Sequence, residues 1–207
     1  MQHITFGFTS LHTRGEAFFG FLALRKRFFV DTLNWDIPHD SVLEMDQYDN
    51  PLAHYSLVLR DGMVIGGART MPTTAQWGQH SYMLRDALMG KLGDIPPAVM
   101  PGDVASPEVW ECTRLVISDE VKGATDRARC LSLIVGGLVD VAGRGGASQL
   151  ISLSPLSLTR TLRQLGFGAE RLGEPYVNAT DGRRYAVLTM PCRASQRVRE
   201  VEQPLAA

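Results

Sequence analysis

Between Gly15 and about Leu33 the apolar residues Phe18, Phe19, Leu22, Phe28 and Phe29 recur at helical spacing, which predicts a first long helix. A short apolar stretch before it, Ile4 to Phe8, reads as an edge strand. The segment "HYSLVLRDGMVIGGART" reads as two strands around Asp61-Gly62, a pair suited to a tight hairpin because both central residues need positive φ. A short helix follows over Tyr82 to Met89. "GDIPPAVMPGDVASP" carries four prolines and reads as loop. "VWECTRLVIS", Val109 to Ser118, is then an apolar strand, followed by a long helix over about Ala124–Ala142 and a strand "SQLISLS". A helix near Leu156–Leu165 is stopped by Gly166, and two strands, near Glu174–Asn178 and Arg184–Thr189, come last.

Strand-helix-strand crossovers imply parallel neighbours and hairpins imply antiparallel ones, so the expected fold is α/β. Its sheet is mixed and twisted with helices on both faces, a three-layer sandwich that resembles the GNAT acyltransferases. One domain is expected over residues 1–192. The segment 193–207 reads as a polar, frayed C-terminal tail.

Composition narrows the partners. The 207 residues carry a formal net charge of −1, which offers no bulk attraction to nucleic acid or to an anionic membrane. The longest apolar run, Leu131 to Val139, is interrupted by Ser132, Gly136 and Gly137 and falls far below the ~20 residues of a bilayer span. The N-terminus has no basic start leading into a long apolar core, so a secretory signal is not expected. Three scattered cysteines suit a reducing compartment, and a cytoplasmic enzyme is the resulting expectation. No histidine or cysteine pair has metal-ligand spacing, and the glycine-rich pieces "VGGLVD" and "GRGGAS" match neither a dinucleotide fingerprint nor a phosphate-binding loop. No metal and no cofactor is expected.

The chemistry-bearing positions are few. Glu111 and Arg114 lie three apart in an apolar strand, so a period of two sends them to opposite faces unless a bulge shifts the register. Each needs a reason to be there, because a buried charge without a partner is costly. Arg25 and Phe29 share a helix face, with Arg25 open to a solvated reading and Phe29 to a core one. Trp35 fits a core plug equally well. Asp46 and Asp49 in "EMDQYDNP" fit a solvated turn. Arg69 ends the second hairpin strand, after Gly66-Gly67, a pair that signals a bulge or a close backbone approach.

Taken in order, "LRKRFFVDTLNW", "EMDQYDNP", "GGARTMPTT", "YMLRDAL" and "VWECTRLVIS" resemble the LuxI-type acyl-homoserine-lactone synthases. That frame covers roughly Leu24 to Ser118 and continues weakly through "LRQLGF". Three details depart from it. Thr113 and Leu115 stand where Ser and Phe are frequent, and Asn34 stands where Gly is common.

The resemblance implies a quorum-sensing synthase that acylates S-adenosylmethionine and closes the lactone, releasing methylthioadenosine. It assigns Arg25, Asp46, Asp49, Arg69 and Arg114 to a network folding the N-terminal segment over S-adenosylmethionine. Three cations against two carboxylates would leave a place for the substrate's carboxylate. Phe29 and Trp35 would shield the cleft, and Glu111, on the other side of its strand, would take the proton of the reacting amine. Glu111 and Arg114 are thus the expected catalytic pair. Acyl carrier protein is the expected acyl donor, with Arg160 and Arg163, and Arg144 near the start of their helix, as docking charges; a solvated helix face is the plainer alternative. The acyl chain would enter between "VWECTRLVIS" and "SQLISLS", where Ser152 could bond an oxygenated chain. The rival readings are a GNAT-type transferase using acyl-coenzyme A and another amine, and a non-catalytic binding relative.

Overall fold

The computed structural model describes residues 1–193; the tail beyond lies outside the described residues. Eight strands form one mixed sheet in the order β1-β2-β3-β4-β5-β8-β6, with the short β7 also on β8. Strands β1 (Gln2–Gly7), β2 (His54–Arg60), β3 (Met63–Pro72) and β4 (Val109–Ile117) run antiparallel to one another in sequence order. The β2–β3 hairpin turns on Asp61 (φ 52°) and Gly62 (φ 80°), the two left-handed residues its sequence demands.

The β4–β5 pair is parallel, and the crossover between them is the helix α3 (Ala124–Arg144). Strand β5 (Gln149–Pro155) then pairs antiparallel with β8 (Arg184–Pro191), which also carries β6 (Glu170–Arg171) and β7 (Tyr176–Val177). The two-residue β6 has no signal in the sequence, because a strand that short shows no alternation. Helices α1 (Gly15–Arg25) and α2 (Met83–Leu88) cover one face; α3 and α4 (Leu156–Gln164) cover the other. The first helix continues as a π-helical stretch, Lys26–Thr32, ended by Asn34 at φ 55°. Asparagine tolerates that left-handed conformation, which accounts for its standing where a glycine is common.

Two irregularities in the sheet shape everything that follows. At the first, a register shift against β2 at Ile65 adjoins the close-packed pair Gly66-Gly67: a Cβ on Gly67 would collide with Leu57 Cδ2 and meet Phe21 at 2.9 Å. Helix α1 therefore sits directly on the backbone of β3. The second is in β4. Gly67 pairs with Val116 and Arg69 with Thr113, so Arg114 and Leu115 together face Ala68. Arg114 adopts φ 57°, and the extra residue is a β-bulge.

Beyond Glu111 the pairing of β4 with β5 ends, while β5 goes on pairing with β8 as far as Pro155. The two parallel strands splay, and the split opens a crevice through the middle of the sheet. Among the described residues, no helix is long and apolar enough to cross a membrane.

Candidate active site

The β4 bulge decides where the charges go. Val109 and Val116 pack on the α1–α2 side, while Trp110, Cys112, Leu115 and Ile117 pack on the α3–α4 side. Glu111 and Thr113 follow Val109, and the extra residue brings Arg114 onto their face. The expectation that Glu111 and Arg114 point to opposite faces is therefore overturned. Both lie on the α1–α2 side, because one inserted residue cancels the odd spacing.

Arg25 ends α1, and its side chain is fully buried rather than solvated. Its Nε donates to Glu44 Oε2 at 2.5 Å, and its two Nη atoms donate to Asp49 at 2.8 and 2.9 Å, a fork on a carboxylate. Arg69, also fully buried, donates from Nη1 to Asp46 Oδ1 at 2.6 Å and from Nε to Thr113 Oγ1 at 3.0 Å. It also lies 2.8 Å from Asp49. Arg114 lies 2.7 Å from Asp46 through Nη2 and donates from Nε to Glu44 at 3.3 Å. Tyr55 adds a hydroxyl donated to Asp49 Oδ1 at 3.1 Å.

The network thus holds three carboxylates, not two. Glu44 matches the third arginine, so no surplus cation is left for a substrate carboxylate, as the count from the sequence had it. The residue was within reach of the reading: it opens "EMDQYDNP", two positions before Asp46, where an extended segment presents both to one side.

Burial works to raise the Asp46 carboxyl, but Arg69, Arg114 and Arg25 hold it well below the usual carboxylate range. Burial works to lower Arg25 and Arg69, yet Asp49 and Glu44 raise the first, and Asp46 and Asp49 raise the second. These ion pairs tie α1, the 44–49 loop, β3 and β4 together.

Glu111 differs. It is 1% exposed, and its two oxygens accept the backbone N–H groups of Leu84 and Met83, at 2.8 and 2.9 Å, from the first turn of α2. Burial pushes its carboxyl up to about 7, against the opposing pull of those N–H groups and Arg69. A group with that proton affinity exchanges protons at neutral pH, as a general base must.

The network borders a cavity of about 710 Å³, lined by Arg114, Thr113, Asp46, Phe29, Trp35 and Met83 among others. Phe29 stacks on Trp35 with centroids 5.0 Å apart and lies under the Arg114 guanidinium at 5.5 Å. These aromatic rings form a wall of the cavity. Glu111 is not on the cavity surface, although Met83, whose N–H it accepts, and Thr113, two residues along β4, both line the cavity. A second cavity of about 60 Å³ fills the crevice between β4 and β5 and shares Arg114, Leu153, Ser154 and Leu158 with the first. Ser152, half-buried, lines it 3.0 Å from the hydroxyl of Ser154, a buried serine with no signal of its own in the sequence.

The docking arginines do not form one group. Arg160 is exposed on α4. Arg163 is exposed too, but its Nε donates to Ala169 O at 2.7 Å and tethers the loop after α4. Arg144 is not near the start of that helix: it ends α3 ahead of β5, whereas α4 begins after it, so a strand of seven residues, roughly 20 Å, separates them. Among the described residues no cluster of three His, Cys, Asp or Glu side chains is arranged to hold a metal ion.

Layered helices around a sheet with splayed parallel strands define the N-acyltransferase class of fold; an acyl-CoA N-acyltransferase from Pseudomonas aeruginosa shares it at TM-score 0.55 and 16% identity, over 93% of this chain and 99% of its own. Within that class, the family model "Autoinducer synthase" matches residues 11–200. An acyl-homoserine-lactone synthase of Acinetobacter nosocomialis is 34% identical over 163 residues, 75% of this chain and 82% of its own. The crystal structure of TofI in a ternary complex with an inhibitor and MTA has TM-score 0.74 and 27% identity, covering 96% of this chain and 97% of that one. The chain belongs to the autoinducer synthase family and is an acyltransferase of the acyl-homoserine-lactone synthase type.

Proposed function

We propose that the enzyme transfers an acyl group from acyl carrier protein to the amine of S-adenosylmethionine, then closes the homoserine lactone and releases methylthioadenosine. The observation that carries this reading is the juxtaposition of a buried arginine–carboxylate frame bordering the cavity with one carboxyl, Glu111, that burial raises to about 7 and that accepts the N–H of Met83, a residue lining the same cavity. TofI binds MTA, in line with a methylthioadenosine by-product.

The chemistry follows from the geometry. An α-amine with a pKa of about 8 must lose a proton before it attacks a thioester. Glu111 accepts that proton through a water, since its carboxylate is not on the cavity surface. With the frame's charges matched, the substrate's carboxylate has no spare cation and shares Arg114, whose side chain is 9% exposed, with Glu44 and Asp46. Phe29 and Trp35 offer π faces to the sulfonium. Lactonisation then rests on positioning, because the sulfonium is already a good leaving group and the carboxylate needs only to reach its own γ-carbon. The acyl chain runs past Leu153 and Leu158 into the crevice, where the Ser152–Ser154 pair can bond an oxygen on the chain. Arg160 is the docking charge for an acidic carrier.

Expression in a bacterium that makes no such signals, followed by solvent extraction and mass spectrometry, should reveal an N-acyl-homoserine lactone. Its absence would sink the reading. Purified enzyme should prefer acyl carrier protein over acyl-coenzyme A, and Arg160→Glu should raise the KM for the carrier alone. Equal use of both donors would remove the carrier from the account, an outcome the fold accommodates: BjaI, a CoA-dependent acyl-homoserine lactone synthase, shares it at TM-score 0.73 and 20% identity, over 95% of this chain and 85% of its own.

A further inference from the structure

The turn between β7 and β8 is built to present one carboxylate. Asn178 Oδ1 accepts the backbone N–H of Thr180 at 2.8 Å, and Asn178 O accepts that of Gly182 at 2.9 Å. Gly182 takes φ 67°, a left-handed position. Within this turn Asp181 Oδ1 accepts the N–H of Arg183 at 2.9 Å, which fixes the carboxylate and leaves Oδ2 pointing away.

Asp181 Oδ2 is used twice. It accepts the Tyr185 hydroxyl at 2.7 Å and the Trp35 indole N–H at 3.0 Å, a contact spanning 146 residues of chain. Trp35 is therefore gripped on its edge by Asp181 and on its face by Phe29, while Tyr185 meets it edge-on at 6.0 Å. Trp35, Phe29 and Tyr185 all line the 710 Å³ cavity, whereas Asp181 stands behind that wall. The contact joins the N-terminal segment to the far side of the sheet. An indole N–H without this acceptor would lose a charge-assisted bond and the ring would be held by stacking alone.

We propose that Asp181 is a positioning residue for the amino substrate: by clasping Trp35 in its stack on Phe29 it fixes a wall of the cavity and sets affinity for S-adenosylmethionine, without touching the reacting atoms. The ligand rests on the function proposed above; the clasp does not. Because Asp181 acts through Trp35, its loss weakens binding and leaves the chemical step intact.

The test uses the full chain with Asp181→Ala and Asp181→Asn, the second of which keeps an acceptor oxygen. Asp181→Ala should raise the KM and the directly measured Kd for S-adenosylmethionine roughly tenfold, with kcat within about twofold of the parent. Asp181→Asn should restore binding to within about twofold. In protein labelled with ¹⁵N-tryptophan, the Trp35 indole resonance should shift in Asp181→Ala while those of Trp77 and Trp110 stay, which also reports that the variant is folded. Unchanged affinity in Asp181→Ala, or equal loss in both variants, overturns the proposal. If the parent binds no S-adenosylmethionine, the ligand reading fails while the indole shift still decides the clasp.

Discussion

Two kinds of buried carboxylate lie on the same face of this sheet. Glu44, Asp46 and Asp49 each meet at least one guanidinium directly, and at Asp46 and Asp49 burial is outweighed by neighbouring charge. Glu111 meets two backbone N–H groups instead, and burial wins. The lesson is that burial does not by itself fix protonation: the balance is set by whether the partner is a full charge or a peptide dipole. One set of acids serves as a frame; the other is left able to take a proton.

The largest effect should come from breaking the frame. Arg69→Met removes the fully buried cation between Asp46 and Asp49, leaving two arginines against three carboxylates and one buried negative charge uncompensated, at a cost of about 3–5 kcal/mol. Urea denaturation should show it; a loss under 1 kcal/mol would mean the frame is not held by charge.

The next test reads the opposite signs of the two regions in the pH dependence of stability. Asp46, with its folded pKa depressed, contributes stability that is present above the unfolded pKa of about 3.9 and is lost as pH falls toward its folded value. Glu111, raised to about 7, behaves oppositely. Between pH about 4.5 and about 7 the unfolded chain releases the Glu111 proton first, so stability falls as pH rises through that window and is level above it. Relative to Glu111→Gln, the parent should lose roughly 3 kcal/mol across the window. A flat difference would place the Glu111 pKa in the ordinary range.

Turnover sharpens the same point. Glu111→Gln should cut kcat about a hundredfold while changing S-adenosylmethionine affinity modestly, and it should abolish an acid limb in the pH–rate profile centred near 7. Full activity in that variant would strip Glu111 of the role of base. The smallest effect belongs to Tyr55→Phe, which deletes one hydroxyl bond to Asp49 in the frame. It should cost about 1 kcal/mol in denaturation and leave the acid limb where it is.

The order of elements was legible because each local pattern agreed with its tertiary setting. The hairpin at Asp61-Gly62 needed two left-handed residues, and the sequence supplies residues that accept that conformation. The apolar residues of the first helix recur at helical spacing, and Phe29 is buried against Trp35 at the cavity wall. Glu44 escaped because charge matching is a property of the assembled cluster; its two-residue spacing from Asp46 was the one local signal, and a solvated loop acid can carry the same spacing. Arg163 escaped for a similar reason: an exposed helical arginine looks alike whether its guanidinium is free or tethered to a carbonyl six residues on.

By itself, then, the chain's pattern determined the strand and helix succession, the mixed sheet and the set of arginines and acids that the active-site region assembles, since these follow from periodicity, turn chemistry and residue type. Only the tertiary structure decided which way those charges face. The bulge at Arg114 sits at a non-glycine residue with no local signature, and it exists because β4 must pair with β3 on one edge while parting from β5 on the other. That single inserted residue turns Glu111 and Arg114 to one side, and burial under α2 then sets the proton affinity of Glu111. Neither pairing nor desolvation is written in any one segment.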